Sequence, residues 1–241
     1  MISIIIPTLN EEKVLEKTLL ALRKLISTPF EIIISDGGSR DDTLNIARKY
    51  AHKVVECEKG VKQTIALGRN LGAKYSNGDM LVFLDADVEI PEINTFFETA
   101  VNKFENQKNL VGLSVFLKVF PQHATLSDKL FFKLVNYIHY TANHLLPLGS
   151  ASGEFQMITR QAFLAAGGYR TDLAVGEDVE MFSRLRKLGK TRIEAGLHVL
   201  HTGRRAHAVG WGKLWYLWIK NNLIFIKLFN RSFTKEWTAI R

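Results

Sequence analysis

Residues 2–26 read ISIIIPTLNEEKVLEKTLLALRKLI, and this stretch decides the fold. Ile2 to Ile6 is dominated by isoleucine, as in a strand buried on both faces. Thr8 and Glu11 stand at the spacing of a capping box, and Val14, Leu15, Leu19, Leu22 and Ile26 then recur at helical period. Strand, short loop and helix therefore follow one another. The pattern repeats outward: Glu31 to Ser35 is β-rich, Ser39 and Asp42 supply a second capping box, and a helix is predicted to about Tyr50. A short strand at Lys53–Val55 and a helix over Lys62–Tyr75 follow. Asn77-Gly78 marks a turn, and Met80 to Leu84 is another buried strand. Such alternation predicts an α/β fold on a mainly parallel, Rossmann-like sheet flanked by helices.

Past Asp87 the rhythm loosens. Pro91 opens a helix through Phe104, Leu110 to Phe120 is a long strand, and Leu126 to Leu146 is an amphipathic helix. Phe155–Thr159 reads as a strand, Arg160–Ala166 as a short helix ended by Gly167-Gly168, and Val179–Leu188 as a helix ended by Gly189. This half is α+β. The expected organisation is one domain over residues 1–210, in two halves (about 1–110 and 111–210), followed by a basic amphipathic tail (211–241).

The net charge of +8 is uneven: residues 184–241 hold 13 Lys/Arg against two acids, Glu194 and Glu236. Such a terminus suits anionic lipid, nucleic acid or phosphate-bearing ligands, and charge alone does not choose among them. Cys57 is the single cysteine, so no disulfide framework or thiolate cluster is expected. With no signal-peptide pattern at the N-terminus, a cytoplasmic location is expected.

In an open parallel sheet, ligands bind beyond the carboxyl ends of the strands, where this sequence gathers its polar clusters. Pro7-Thr8-Leu9-Asn10-Glu11 follows the first strand, Asp36-Gly37-Gly38-Ser39 the second, and Asp85-Ala86-Asp87 the strand ending at Leu84. Carboxylates at a strand end suit a hard divalent cation, Mg²⁺ or Mn²⁺, that neutralises a diphosphate. The bland alternative is a loop whose acids cap the next segment.

Five short motifs fall in one order: Ile6-Pro7-Thr8-Leu9-Asn10-Glu11, Ser35-Asp36-Gly37-Gly38-Ser39, Gly68-Arg69-Asn70, Leu84-Asp85-Ala86-Asp87 and Gly176-Glu177-Asp178. In that order they resemble the family 2 glycosyltransferases of the GT-A fold, over roughly residues 1–205. The resemblance implies an inverting, non-processive enzyme that moves one sugar from a UDP- or GDP-sugar to a sugar, lipid or lipid-linked acceptor. It implies that Asp36 accepts a hydrogen bond from the donor base, with Pro7, Thr8 and Glu11 lining the nucleotide pocket. Arg69 resembles the family's nucleotide-side arginine, and Asp85 and Ala86 lie near the ribose with Asp87 on the metal. Asp178 is the implied general base, Glu177 being able to exchange roles with it. Glu154 and Gln156 are implied near the donor sugar or acceptor, and His201 as a third metal ligand. Nucleic acid is not an implied partner.

Each assignment has an ordinary structural counterpart. Asp36 suits an Asx-turn, Glu11 and Asp178 suit helix N-termini, and Arg69 suits a solvated helix face. Glu154 and Gln156 fit an edge strand, and His201 a structural histidine. Arg204-Arg205 suits a diphosphate, with solvent-facing arginines as the alternative. His198 and His201, three apart on a strand, face opposite sides. Trp211, Trp215, Trp218, Phe225 and Phe229 interleaved with Lys213, Lys220 and Lys227 read as an interfacial helix on a membrane, a helix packed on the domain, or a homodimer contact. The chain lacks the Gln-x-x-Arg-Trp signature of processive relatives, Gly-x-Gly-x-x-Gly after the first strand and a Walker loop. Two rivals remain: a silent membrane-binding module on this fold, and a sugar-phosphate nucleotidyltransferase.

Overall fold

The computed structural model describes residues 1–58 and 64–220. Its first half comprises β1 (Ile2–Thr8), α1 (Glu12–Leu22), β2 (Phe30–Asp36), α2 (Thr43–Tyr50), β3 (Lys53–Glu56), α3 (Ile65–Lys74), β4 (Met80–Leu84) and α4 (Ile93–Asn106). The second comprises β5 (Leu110–Val119), α5 (Leu126–His144), β6 (Phe155–Thr159), α6 (Arg160–Ala165), α7 (Glu177–Leu188), β7 (Lys190–His201), α8 (Arg204–Val209) and α9 (Trp211–Ile219).

Among the described residues, seven strands form one sheet in the order β3-β2-β1-β4-β6-β5-β7. Every neighbouring pair is parallel except those made by β6, which runs against both β4 and β5. Alternation along β1 and β2 sends Ile4, Ile6, Ile32 and Ile34 to one face, with Leu15, Leu19 and Phe97 of α1 and α4. Ile5, Ile33 and Phe83 point the other way, toward Ala73, Phe163 and Phe182. Burial on both faces explains the isoleucine runs at the centres of these strands.

Three features of the topology bring distant chain segments to one edge. β1 has β2 on one side and β4 on the other, a switch point that opens a crevice beyond its carboxyl end. Because β6 opposes β4 with Phe155 facing Leu84, residues 152–154 emerge where β4 ends. α7 is followed almost at once by β7, which starts beside Leu110, so the first turn of α7 sits at that same edge.

Both expected capping boxes are absent. Glu11 and Asp42 are the N-cap residues of α1 and α2, and neither end has a side-chain cap. Thr8 and Ser39 instead donate their hydroxyls to the Asp36 carboxylate. A buried carboxylate attracts donors more strongly than a neutral helix end does. A capping box does form where the sequence analysis placed none, at Thr125 and Asp128 of α5. α3 begins at Ile65, capped by Thr64, three residues inside its expected start, and residues 59–63 lie outside the described ones. α7 starts at Glu177, two residues early, because Gly176 adopts a left-handed φ of 79° and turns the chain into it. Among the described residues no helix is long and apolar enough to cross a membrane.

α3 lies tight on β1: a Cβ on Gly72 would sit 2.4 Å from Cγ2 of Ile5, which is fully buried. Gly72→Val should lower stability by about 1–3 kcal/mol through overpacking, seen as a lower urea midpoint at unchanged m-value. An unchanged midpoint would show that the close approach is not required.

Candidate active site

Asp36, at the tip of β2, is fully buried. Its Oδ2 accepts the N–H groups of Gly38 (2.9 Å) and Ser39 (2.8 Å), while Oδ1 accepts the hydroxyls of Thr8 (3.0 Å) and Ser39 (2.6 Å). The Asx-turn reading is thus the one that this geometry displays. Four donors fill the carboxylate, so a nucleotide base would have to displace one of them. Thr8 and Glu11 are buried beside this turn and Pro7 is half-buried.

The centre of the site is Arg69 on α3, which is neither a solvated arginine nor one open to a nucleotide: it is 1% exposed. Its Nη1 donates to Glu177 Oε1 at 2.9 Å, and Nη2 donates to Asp85 Oδ1 at 3.1 Å and to the Gly153 carbonyl at 2.8 Å. The Tyr169 ring covers it, centroid 5.2 Å away. One guanidinium therefore ties the β4 tip, the β6 approach and the start of α7. A Cβ on Gly153 would lie 2.8 Å from Arg69 Nη2 and 3.2 Å from Asp178 Oδ2, so any larger residue there would push on the guanidinium.

Asp178 projects beside that contact. Its Oδ1 accepts the N–H of Val179 at 2.7 Å, as a helix first turn allows. Burial raises its pKa against the pull of Arg69. Glu177 is raised by burial and then by Asp178, again opposed by Arg69. Asp85 is pushed up to about 6 by burial, with Arg69 opposing. Half-buried Glu154 is pushed up to about 8, first by burial and then by Asp85. Gln156, expected to contact a sugar, is instead fully buried: it accepts from the Tyr169 hydroxyl at 2.5 Å and donates to the Asp178 carbonyl at 3.3 Å. It braces the backbone of Asp178, because an interior amide must satisfy both its ends.

Asp87, two residues beyond Asp85, anchors the next part of the site. Its Oδ2 accepts the Thr202 hydroxyl and lies 3.4 Å from Arg204 Nε. Arg204 also forks onto Glu11 at 2.9 and 3.1 Å, so its guanidinium closes one side of a cavity of about 250 Å³ lined by Asn10, Glu11, Glu12, Lys13 and Asp41. It is thus paired with protein carboxylates rather than facing solvent. Ala86 is buried, its carbonyl accepting from Thr18. The side chain of Arg205 lies outside the described residues. His201 is buried, edge-on to Phe132 at 4.6 Å, and burial lowers its pKa to about 4. Its Nδ1 accepts the Gly203 N–H at 3.2 Å, and Nε2 is buried with no hydrogen-bond partner. A neutral ring accepting at Nδ1 carries its proton on Nε2, so ligation there would require the Gly203 bond to break. Among the described residues no three His, Cys, Asp or Glu side chains gather as a cation cage. The carboxylate of Asp87 fits a hard cation that shares its shell with a substrate's oxygens; His201 could join it through its unpartnered Nε2 only with the proton moved to Nδ1 and the Gly203 bond given up.

The sequence model of Glycosyl transferase family 2 matches residues 3–164, the segment that carries β1 to β6 with Asp36, Asp85, Asp87 and Glu154, and ends before Glu177 and Asp178. The chain belongs to that family. Among curated members it is 33% identical over 132 residues to 4,4'-diaponeurosporenoate glycosyltransferase of Staphylococcus haemolyticus, covering 52% of this chain and 35% of that one. It is 28% identical over 201 residues to succinoglycan biosynthesis protein ExoA of Rhizobium meliloti, covering 77% and 58%. The chain spans little more than half of ExoA and about a third of the first relative. In fold it is similar to the mannosyltransferase PcManGT from Pyrobaculum calidifontis in complex with GDP-Man and Mn²⁺ (TM-score 0.66, 18% identity, 83% of this chain and 56% of that one). It is also similar to glucosyl-3-phosphoglycerate synthase from Mycobacterium tuberculosis in complex with Mn²⁺ and UDP (TM-score 0.60, 22% identity, 87% and 75%). These likenesses show a GT-A fold.

Tyr169, Thr202 and Gly153 escaped the sequence reading as contributors. Only Gly153 carried a signal, a glycine preceding an acid at the approach to a strand.

Glu154 offers a direct test of this electrostatics. Its carboxyl titrates near 4.5 when unfolded and about 8 in the fold, so the folded chain holds a proton the unfolded chain has released. Its contribution is therefore complete below about pH 4.5 and lost as pH rises toward 8. Glu154→Gln should lose this share of the fall in urea midpoint between those values. Parallel pH profiles for the two proteins would contradict the assignment.

Proposed function

We propose that the chain transfers a single hexose from a UDP- or GDP-sugar to an acceptor hydroxyl by one inverting displacement. The observation that carries the reading is the shared clasp of Arg69, which joins Asp85 at the end of β4 to Glu177, next to Asp178, at the start of α7. The ligands named for the similar structures, GDP-Man and UDP with Mn²⁺, support the donor class.

In this reading Pro7, Thr8, Glu11 and Asp36 shape the nucleotide pocket, and Asp85 lies toward the ribose. Asp87 would hold Mg²⁺ or Mn²⁺, which when bound supplies positive charge for the departing diphosphate. Arg204, and Arg205 after it, are suited to the same anion: a diphosphate competes with Glu11 for the guanidinium fork. Asp178 takes the acceptor proton as the hydroxyl oxygen attacks the anomeric carbon. Its geometry favours it over Glu177, whose Oε1 is engaged by Arg69. A carboxylate with a raised pKa is also a better proton acceptor than an ordinary one. One base and one displacement invert the anomeric centre.

Asp178→Asn should leave nucleotide-sugar binding intact while lowering turnover by roughly 10²–10⁴-fold. Asp87→Asn should weaken the binding of both Mn²⁺ and donor. The readout is nucleotide diphosphate released from a panel of UDP- and GDP-sugars, beside donor titration by calorimetry. Wild-type turnover in Asp178→Asn would remove the base from the mechanism, and no release with any donor would favour a silent binding module.

A further inference from the structure

The aromatic residues at the start of the basic tail face inward. Trp211 and Trp215 of α9 pack on Phe131 of α5, with ring centroids at 4.8 and 4.7 Å. The apolar surface left open belongs to α5 itself. Leu126, Leu130, Leu134 and Tyr137 recur along one face and are 73%, 61%, 48% and 52% exposed. Single exposed leucines are ordinary, but four large apolar side chains on one helix face form a patch of the kind that covers something.

Charge selects the occupant. Lys129 and Lys133 are exposed along the flank of this stripe, and Lys213 of α9 and Lys220, its C-cap, fall on the helix side opposite Trp211 and Trp215. Neither helix exposes an acid, since Asp128 of α5 is buried and held by Thr125 and His207. A second copy would bring lysine rows together at a cost, whereas an anionic lipid surface attracts them and accepts the leucines. We infer that the exposed face of α5, extended by α9, docks in the plane of an anionic bilayer. α5 leads directly to the site, because Asp128 meets His207 of α8 and Phe132 meets His201. Those contacts lie on the buried side of α5, so docking on its exposed side holds the site one helix diameter, roughly 10 Å, from the headgroups, within reach of a lipid-linked acceptor; that last step rests on the proposed transfer reaction, while the docking does not.

Flotation of the full chain with vesicles tests the docking without any substrate. Vesicles of phosphatidylcholine containing about one-third phosphatidylglycerol should carry the protein up the gradient, and pure phosphatidylcholine should carry far less. Leu130→Ser with Leu134→Ser should reduce the bound fraction by on the order of tenfold or more. Lys129→Glu with Lys133→Glu should remove the preference for phosphatidylglycerol, both variants keeping the wild-type far-UV spectrum and melting temperature. Flotation unchanged in both variants would overturn the assignment and leave residues 221–241 as the attachment. No flotation of the wild type, with a dimer in solution that the leucine changes split, would show instead that the face is an interface between copies.

Discussion

A single buried guanidinium sets the constraint on which the site depends. Arg69 makes hydrogen bonds to Asp85, Glu177 and the Gly153 carbonyl, groups 16, 108 and 84 residues away in sequence. Removing such a cation from water costs several kcal/mol, which only forked, charge-assisted hydrogen bonds offset. The surroundings are shaped to permit them: Gly72 lets α3 approach β1, Gly153 leaves room for the fork, and Tyr169 covers its face. Asp85, Glu177 and Asp178 outnumber the one positive charge between them. Burial is the main cause of their raised pKa values, with the neighbouring carboxylates adding to it and Arg69 opposing it. A site with surplus negative charge suits a divalent cation on one side and a sugar ring gaining positive character on the other.

The architecture follows from strand direction. Parallel β1, β2 and β4 deliver Asp36, Asp85 and Asp87 to one edge, and the reversal of β6 returns residues 152–154 to that edge. The turn at Gly176 starts α7 there, so the proposed base faces the cation-side acids from a different part of the chain. Arg204 closes the remaining side by pairing with Glu11 and Asp87. Exchange of those partners for a diphosphate would couple donor binding to movement of the segment after β7.

The strands and their tips were legible in the sequence because burial on both faces leaves a run of isoleucine, and polar residues can follow only where such a run ends. The acids at those tips were legible for the same reason. Local hydrogen-bond assignments were less so. Thr8 and Ser39 had the spacing of helix caps, yet the nearer carboxylate of Asp36 took their hydroxyls. Arg69 sits in a helix whose neighbours give no hint of burial, since its partners arrive through tertiary packing. Gln156 looked like a ligand contact, but the strand alternation that buries Phe155 on one face buries Gln156 on the other. The tail's tryptophans had the pattern of a membrane helix, and Phe131 of α5 supplied a protein surface for Trp211 and Trp215.

The most direct test of the clasp is Arg69→Lys, which keeps the positive charge and removes the planar fork that reaches two carboxylates at once. Measured together, turnover should fall by on the order of 10²-fold or more as the base and the donor-side acid lose their common frame, and the urea midpoint should drop in the same protein. Wild-type turnover and midpoint in Arg69→Lys would show that charge alone suffices and that the fork does not organise the site.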